Sequence, residues 1–322
     1  PIWAVTLFAV LSVGAVAVLI PARCTARERI RMIANTAAIS RPISPNYDYK
    51  NDRPTLINIE RPATVVFTSG SSGNAKAVVH STANHLYSAA GSSTNIPINH
   101  EDSWLVALPL QHVAGLSILF RTLSAGACAV IAQNGSLQDT NDDAVRLMAR
   151  TTHVSLVETQ LRRLMQIPSQ ERITRHLRTA LIGGSSLSGS LLRHARSCGI
   201  PVCASYGCTE MASQVATTNP NDSSETFEDC GIILPYREVS IGKDSEILLR
   251  GKTLCIGYQQ RNRTIPTNID NGWWFSGDTG RIEGSKLSVA GRIGTRFISG
   301  GENIQPEEVE QNNLIIEGLG VK

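Results

Sequence analysis

The sequence predicts a layered α/β protein with a largely parallel sheet, followed by a small antiparallel β-rich subdomain. Three observations lead there. Between residues 64 and 205, short β-branched runs alternate with helix-length segments, the pattern of strands joined by helical crossovers. From Cys230 the apolar runs shorten and are separated by Gly and Lys/Asp turns, the pattern of antiparallel strands. At 322 residues and 42% hydrophobic content, the chain can bury a large core and exceeds one compact domain of about 150 residues.

Residues 1 to 20 are uncharged and mostly apolar, long enough by count for a membrane span of about 20 residues. Ser12 and Gly14 divide this run into a helix from Ile2 to Leu11 and a β-branched strand from Ala15 to Ile20, closed by Pro21. A buried helix and a buried strand are therefore expected, with no membrane span and no signal sequence. Because the chain begins with proline rather than methionine, a fragment that starts inside a domain is also expected. A helix from Glu28 to Ala38 and a Pro/Asn/Asp-rich loop from Ser40 to Pro54 follow. Strands are then predicted at 64–68, 76–80, 104–108, 126–131, 153–157, 178–182 and 201–205, and helices at 82–92, 114–124, 141–150, 158–166 and 188–198. Beyond Cys230, Glu246 to Arg250, Trp273 to Phe275, Arg281 to Glu283 and Lys286 to Ala290 read as short strands. Gly291-Arg292-Ile293-Gly294 reads as a connector, and Pro306 to Glu310 as the start of a helix. The domain expectation is a large domain over 1–290, its β-rich part at about 230–290, and a hinge with the start of a further domain over 291–322.

A net charge of +3 with no lysine or arginine run gives no basic stripe for nucleic acid and leaves room for an anionic small molecule. The seven cysteines (Cys24, Cys128, Cys198, Cys203, Cys208, Cys230 and Cys255) form an odd set with no CxxC pair and no neighbouring His ligand. That argues against a disulfide framework and a zinc site, and for a reducing, cytoplasmic compartment. Nothing in the sequence sets an oligomeric state, and a homo-oligomer is compatible with it.

The stretch from Val65 to Lys76 joins a buried-strand signature to a hydroxyl- and glycine-rich loop ending in a lysine. Gly70 and Gly73 allow positive φ and close backbone approach, while Thr68, Ser69, Ser71, Ser72, free N–H groups and the Lys76 ammonium can donate to phosphate. It is not a Walker A loop, because the lysine is followed by Ala77-Val78-Val79, a second strand. On composition alone a polar surface hairpin is the commoner reading of such a loop. Other polar, glycine-containing stretches follow predicted strands, where open α/β sheets place ligands. They are Gly183-Gly184-Ser185-Ser186, Ser205-Tyr206-Gly207-Cys208-Thr209-Glu210, Ser276-Gly277-Asp278 and Gly291-Arg292.

Taken in order, these stretches resemble the motifs of the adenylate-forming superfamily of acyl-CoA synthetases, firefly-type luciferases and peptide-synthetase adenylation domains. The loop resembles its first phosphate motif, Tyr206 to Glu210 its YGxTE motif, Trp274 to Asp278 its aspartate motif, and Gly291 to Glu310 its hinge motif. The resemblance implies a layered α/β adenylation domain with a small antiparallel β-subdomain and the beginning of a mobile C-terminal α+β domain. It also implies ATP-dependent activation of a carboxylate, with Mg2+, and CoA as co-substrate. Lys76 and the loop hydroxyls would neutralise the phosphates, Glu210 would hold Mg2+, and Thr209 would donate to the α-phosphate. Asp278 and Arg292 would bind the ribose, and Gly183, Gly184 and Ser185 would flank the purine, with Ser205, Tyr206 and Gly207 beside it and Tyr206 stacking. Taken singly, Glu210 and Asp278 would each pass as solvated loop carboxylates.

Leu108 to Gly115 resembles the superfamily's acyl-pocket motif, which implies that His112 lies beside the carboxylate being activated. By itself His112 also fits an ordinary loop histidine. Arg121 stands in the otherwise apolar run Leu116 to Phe120, and an unpaired internal charge is costly, so an anionic partner is expected unless the side chain snorkels or pairs with a protein carboxylate. The runs Ala75 to Ser81, Val157 to Leu161 and Phe297 to Glu310 are similar to 2-succinylbenzoate-CoA ligases of menaquinone biosynthesis. This implies an aromatic dicarboxylate substrate whose second carboxylate meets Arg121, with His112 at the first. Other aryl- or acyl-CoA ligases, and a non-catalytic nucleotide-binding module, are the alternatives.

Three departures from the pattern stand out. Ala75 occupies the usual Pro position before the lysine, Gly294 the usual hinge aspartate, and the chain ends before any C-terminal lysine motif. The last predicts a chain that binds ATP or an acyl-adenylate and adenylates poorly on its own.

Overall fold

The computed structural model describes residues 2–22, 24–38, 58–68, 75–132, 143–168, 170–184, 188–220, 227, 229–261, 263–267, 269–293, 297–299 and 302–304. The loop residues Ser69 to Gly73, Ser185, Gly294 and the helix expected at Pro306 to Glu310 lie outside these.

In chain order the elements begin with α1 (Ile2–Ser12), β1 (Ala17–Leu19), α2 (Ala26–Thr36), β2 (Pro62–Thr68), β3 (Lys76–Ser81), α3 (Thr82–Asn95) and β4 (Ser103–Val106). Next come α4 (Val113–Ala125), β5 (Cys128–Ile131), α5 (Asp143–Met148), β6 (His153–Leu156), α6 (Glu158–Gln166), α7 (Gln170–Thr174), β7 (Thr179–Ile182), α8 (Gly189–Ser197) and β8 (Val202–Cys208). Then follow β9 (Ser213–Thr217), β10 (Ile232–Ile233), β11 (Arg237–Ile241), β12 (Glu246–Gly251), β13 (Gly257–Gln260) and β14 (Arg263–Pro266). The last are β15 (Ile269–Asp270), β16 (Trp273–Glu283), β17 (Lys286–Arg292), β18 (Phe297–Ser299) and β19 (Glu302–Ile304). The apolar N-terminal run folds as a helix and a strand, but they are not the buried pair expected: Leu7, Leu11 and Leu19 are buried while Ile2, Trp3, Val5 and Val16 are exposed. No helix among the described residues is long and apolar enough to cross a membrane.

Each strand expected between residues 64 and 205 is present, and so is each helix expected between 82 and 198. Local signals set their ends. Ser81 caps α3 through a reciprocal pair with Asn84, Thr25 caps α2 likewise with Glu28, and α4 stops at Gly126 with φ 65°.

A twelve-stranded sheet runs in the order β11-β12-β16-β17-β10-β9-β8-β7-β6-β4-β5, with β15 on β16. The part from β8 to β5 is parallel, as expected. The antiparallel strands do not form a sheet of their own, because the hairpin from β8 to β9 adds them to the edge of the parallel half. β13 and β14 leave the C-terminal group and pair onto β3, completing a second sheet, β1-β2-β3-β13-β14. The strand β17 extends through Arg292, so Gly291 and Arg292 are strand residues rather than a free connector.

Period-two alternation distributes the core. On β4, Leu105 packs with α5, α6 and α8 on one face, while Trp104 and Val106 pack with α1, α3 and α4 on the other. The contacts of α3 with β2, β3 and β9, and of α4 with β4, β5 and β9, place these two helices between the sheets. In the smaller sheet, Val65, Phe67, Ala77 and Val79 pack outward with Met32 and Ile256. The alternate positions Thr64, Val66, Val78 and His80 consequently face inward, which buries two polar side chains.

His80 and His85 lie there with ring centroids 5.0 Å apart. The Nε2–H of His80 donates to the Thr209 carbonyl at 2.7 Å, and His85 Nε2 shares a 2.8 Å hydrogen bond with the Thr64 hydroxyl. Burial lowers the pKa of His80 to about 4 and that of His85 well below 6.5. Because the unfolded chain binds these protons first, stability is fully present above pH 6.5 and falls as pH drops from there through about 4. His80 alone accounts for about 3 kcal/mol over that window, at about 1.4 kcal/mol per pH unit. Urea unfolding at stepped pH checks this, and a flat profile between those values would contradict it.

Candidate active site

The carboxyl ends of β7 and β8 form the floor of the site, where a parallel sheet places ligands. Gly183 follows β7 so closely beside β8 that a Cβ there would lie 3.3 Å from the Ser205 carbonyl oxygen, and Gly184 turns away with φ +91°. Ser205 donates to the Ala216 carbonyl at 3.1 Å. At Gly207 a Cβ would lie 2.1 Å from the Ser213 carbonyl oxygen, so a side chain would force the β8–β9 hairpin apart. The turn of this hairpin carries Thr209 and Glu210. It returns through Ala212 and Ser213, both non-glycine with positive φ (52° and 115°), strain of a kind that collects at functional turns.

Tyr206, Asp278 and Arg292 come together from three strands. The Tyr206 hydroxyl donates to Asp278 Oδ2 at 2.7 Å, and Arg292 Nε lies 3.6 Å from Asp278 Oδ1. The register of β16 on β17 pairs Asp278 with Arg292, and Gly277, with φ +74°, turns the backbone just before the aspartate. Burial, then the neighbouring Cys208 and Asp278, push the Tyr206 phenol far above its ordinary range, so it remains a donor.

Glu210 is 8% exposed. Its Oε1 accepts from the Tyr258 hydroxyl at 3.1 Å, and its carbonyl accepts from the Cys255 N–H at 2.7 Å. Lys76 is exposed at the loop end of the β2–β3 hairpin, opposite Thr68, with Nζ 5.4 Å from the Tyr258 ring centroid. Ala75, beside it, is likewise exposed. Among the described residues no group of three or more His, Cys, Asp or Glu side chains could form a metal cage. One buried carboxylate, Glu210, with an oxygen left over from its bond to Tyr258, nonetheless fits Mg2+, which takes one or two carboxylates and completes its shell with phosphate oxygens and water.

His112 precedes α4 as its N-cap without a side-chain capping bond. It is exposed, and desolvation by the surrounding protein lowers its pKa. Further along α4, Arg121 is 1% exposed. Its Nη2 donates to Gln214 Oε1 at 2.6 Å and to Ser213 Oγ at 3.3 Å, and its guanidinium carbon lies 5.2 Å from the Trp104 ring centroid. The Nε–H has no partner, and among the described residues no carboxylate pairs with the charge. Burial and then the positive charge of Arg237 lower its pKa to about 9. Arg237, 5% exposed, is satisfied by the carbonyls of Gln214, Pro235 and Ser88 and by the Ser88 hydroxyl.

The fold therefore assembles Gly183, Gly184, Ser205, Tyr206, Gly207, Thr209, Glu210, Asp278 and Arg292 around the ends of β7 and β8, the middle of β16 and the end of β17. It adds Lys76 and Thr68 from the smaller sheet and brings Arg121 against Ser213, just beyond the Thr209–Glu210 turn. Sequence reasoning missed Tyr258, Gln214, Arg237 and His80. His80 lies in the quoted run Ala75 to Ser81 but was given no role there, the other three lie outside the quoted motifs, and each enters through cross-strand register or helix packing.

The profile of the family described as AMP-binding enzyme matches residues 40–259, more than half of the chain. The chain is 40% identical over 255 residues to the 2-succinylbenzoate--CoA ligase of Haemophilus influenzae, covering 78% of this chain and 53% of that protein. It spans about half the length of the curated relatives it matches. It superposes on an E. coli MenE variant with bound OSB-AMS at a TM-score of 0.83 and 31% identity, covering 98% of this chain and 70% of that one. On the O-succinylbenzoate coenzyme A synthetase of Bacillus subtilis in complex with ATP and magnesium ion the TM-score is 0.82 at 28% identity, covering 99% and 73%. From the assembled motifs and these matches, the chain belongs to the AMP-binding enzyme family.

Proposed function

We propose that this protein activates a carboxylic acid with ATP and passes the acyl group to CoA, and that the acid is 2-succinylbenzoate, a step of menaquinone biosynthesis. In the first half-reaction a succinyl carboxylate oxygen attacks the α-phosphorus, the bond to pyrophosphate breaks, and an acyl-adenylate forms. In the second, the CoA thiolate attacks the acyl carbonyl and AMP leaves.

The residues take these roles. Asp278 accepts from the ribose hydroxyls, assisted by Arg292, and the purine lies along Gly183 and Gly184 against Tyr206. Thr209 donates to the α-phosphate, and Lys76 with the loop from Thr68 to Gly73 neutralises the departing pyrophosphate. Magnesium, held by Glu210 and the phosphates, would supply further charge neutralisation. His112 lies at the entrance to α4 beside the acid to be activated. We place the hinge and the start of a mobile C-terminal domain beyond β17, after Arg292, and the reaction in a reducing, cytoplasmic compartment, which the free state of all seven cysteines supports.

Arg121 carries the choice of acid. A buried guanidinium with an unpartnered N–H and no carboxylate partner among the described residues suits a substrate with a second carboxylate, reached past the half-buried Ser213.

ATP–pyrophosphate exchange tests this, run on the chain and on a fusion supplying the C-terminal part of a relative. 2-Succinylbenzoate is expected to support exchange at least about tenfold better than its analogue lacking the ring carboxylate, the effect of one buried charge-assisted contact. Equal response to both acids would overturn the substrate assignment in favour of another aryl- or acyl-CoA ligase. Nucleotide binding with no exchange for any acid would indicate a non-catalytic nucleotide-binding module.

A further inference from the structure

The strands β3 and β13 pair antiparallel with Tyr258 opposite Val78 and Gly257 opposite Val79. Side chains two apart on a strand share a face, so Lys76, Val78 and His80 lie on the same face as Tyr258, with Lys76 and His80 as its two diagonal neighbours. That face is turned toward the β8–β9 hairpin. His80 holds the Thr209 carbonyl, the Tyr258 hydroxyl holds Glu210 Oε1, and Lys76 lies over the Tyr258 ring. Gly257 makes the placement possible, since a Cβ there would lie 2.1 Å from the Ile265 carbonyl oxygen of β14. Cys255, just before β13, clamps the Glu210 carbonyl, so the segment that carries Tyr258 also fixes the backbone of its partner.

We propose that Tyr258 is a positioning residue that couples the two charged groups of the phosphate site, orienting the Glu210 carboxylate for the divalent cation while its ring seats the Lys76 ammonium for the phosphates. The inference rests on the nucleotide-binding reading given above. The hydroxyl occupies Oε1 alone, and no described residue donates to Oε2. A carboxylate held by one oxygen has its rotamer set in advance and keeps the other oxygen for the cation, so less ordering remains to be done on binding. A tyrosine that merely filled space beside a buried acid would stabilise the fold without distinguishing metal-loaded from metal-free nucleotide.

ATP titration calorimetry on the whole chain, in EDTA and in excess Mg2+, separates these roles. In the unsubstituted chain Mg2+ is expected to tighten ATP binding. Tyr258→Phe keeps the ring and loses the donor, so its ATP affinity in EDTA should be unchanged while about tenfold of the gain from Mg2+ disappears, the effect of one hydrogen bond to a charged group. Tyr258→His, which restores an N–H donor on a ring, should recover part of that gain. Tyr258→Leu should lose a further factor of about three in EDTA as well, as Lys76 loses its aromatic seat. In a Glu210→Gln background, Tyr258→Phe should have no additional effect.

Equal losses with and without Mg2+, or the same loss in the Glu210→Gln background, would overturn the proposal, as would a Tyr258→Phe protein with the full response to Mg2+. If the unsubstituted chain bound no ATP at all, the nucleotide-binding reading itself would fall, and this inference with it.

Discussion

Replacing Arg121 by methionine is expected to make the chain more stable and at the same time to weaken binding of the aromatic dicarboxylate proposed as its substrate. Arg121 is 1% exposed, its Nε–H is unpartnered, and the charge that acts on it is another cation, Arg237. Desolvation of a guanidinium is repaid by a well-placed anion, and among the described residues no protein anion is there. The lowering of its pKa to about 9 has the sign of a charge the fold disfavours, with stability rising only as pH climbs past that value. An apolar side chain of similar length keeps the packing against Trp104, and Gln214 Oε1 still accepts from Ser92. Arg121→Met should therefore gain about 1–4 kcal/mol in urea unfolding. Its affinity for 2-succinylbenzoate should fall about 100-fold, the loss expected when the partner charge of a buried carboxylate is removed. A destabilised variant with unchanged acid binding would show that the arginine is structural.

Replacing Asp278 by alanine is expected to weaken ATP and AMP equally, by about 100-fold. Both nucleotides share the ribose that this carboxylate would accept from, and two hydrogen bonds to a charged acceptor are worth about 3 kcal/mol or more together. The substitution also leaves the half-buried Tyr206 hydroxyl without its acceptor and removes the 3.6 Å contact of Arg292, so the proposed purine platform would loosen with the ribose site. Competition binding with both nucleotides checks this. A loss confined to ATP would move Asp278 from the sugar to the phosphates. Glu210→Gln supplies the contrast, since its effect should appear with ATP in Mg2+ and be nearly absent with AMP.

Most of the fold was legible because its signals are local. The apolar run from Trp104 to Leu108 read as a strand, which the fold buries on both faces, and Ser12 with Gly14 broke an apolar run that would otherwise have passed for a membrane span. The motif residues were legible for a related reason. Glycines such as Gly183 and Gly207 stand where backbones approach too closely for a side chain, and the sequence must carry them whatever the surrounding helices do. What escaped was pairing. The antiparallel strands after Cys230 were expected, but their attachment to the main sheet through β9 and the return of β13 and β14 to β3 were not. Those choices depend on which edges are open once the parallel strands have packed.

The sequence by itself determined the alternation of strands and helices, the order of the phosphate, YGxTE and aspartate motifs, and a charged arginine on an apolar helix. Only the tertiary structure decided that Asp278 meets Tyr206 and Arg292, that Arg121 lies against Ser213 and Gln214, and that Tyr258 joins Lys76 to Glu210. The reason is the range of the forces involved. Propensity and periodicity act within a few residues, whereas Tyr258 is 48 residues from Glu210, and Tyr206 is 72 from Asp278. Contacts of that kind are set by strand register and by the burial that holds two sheets against α3 and α4.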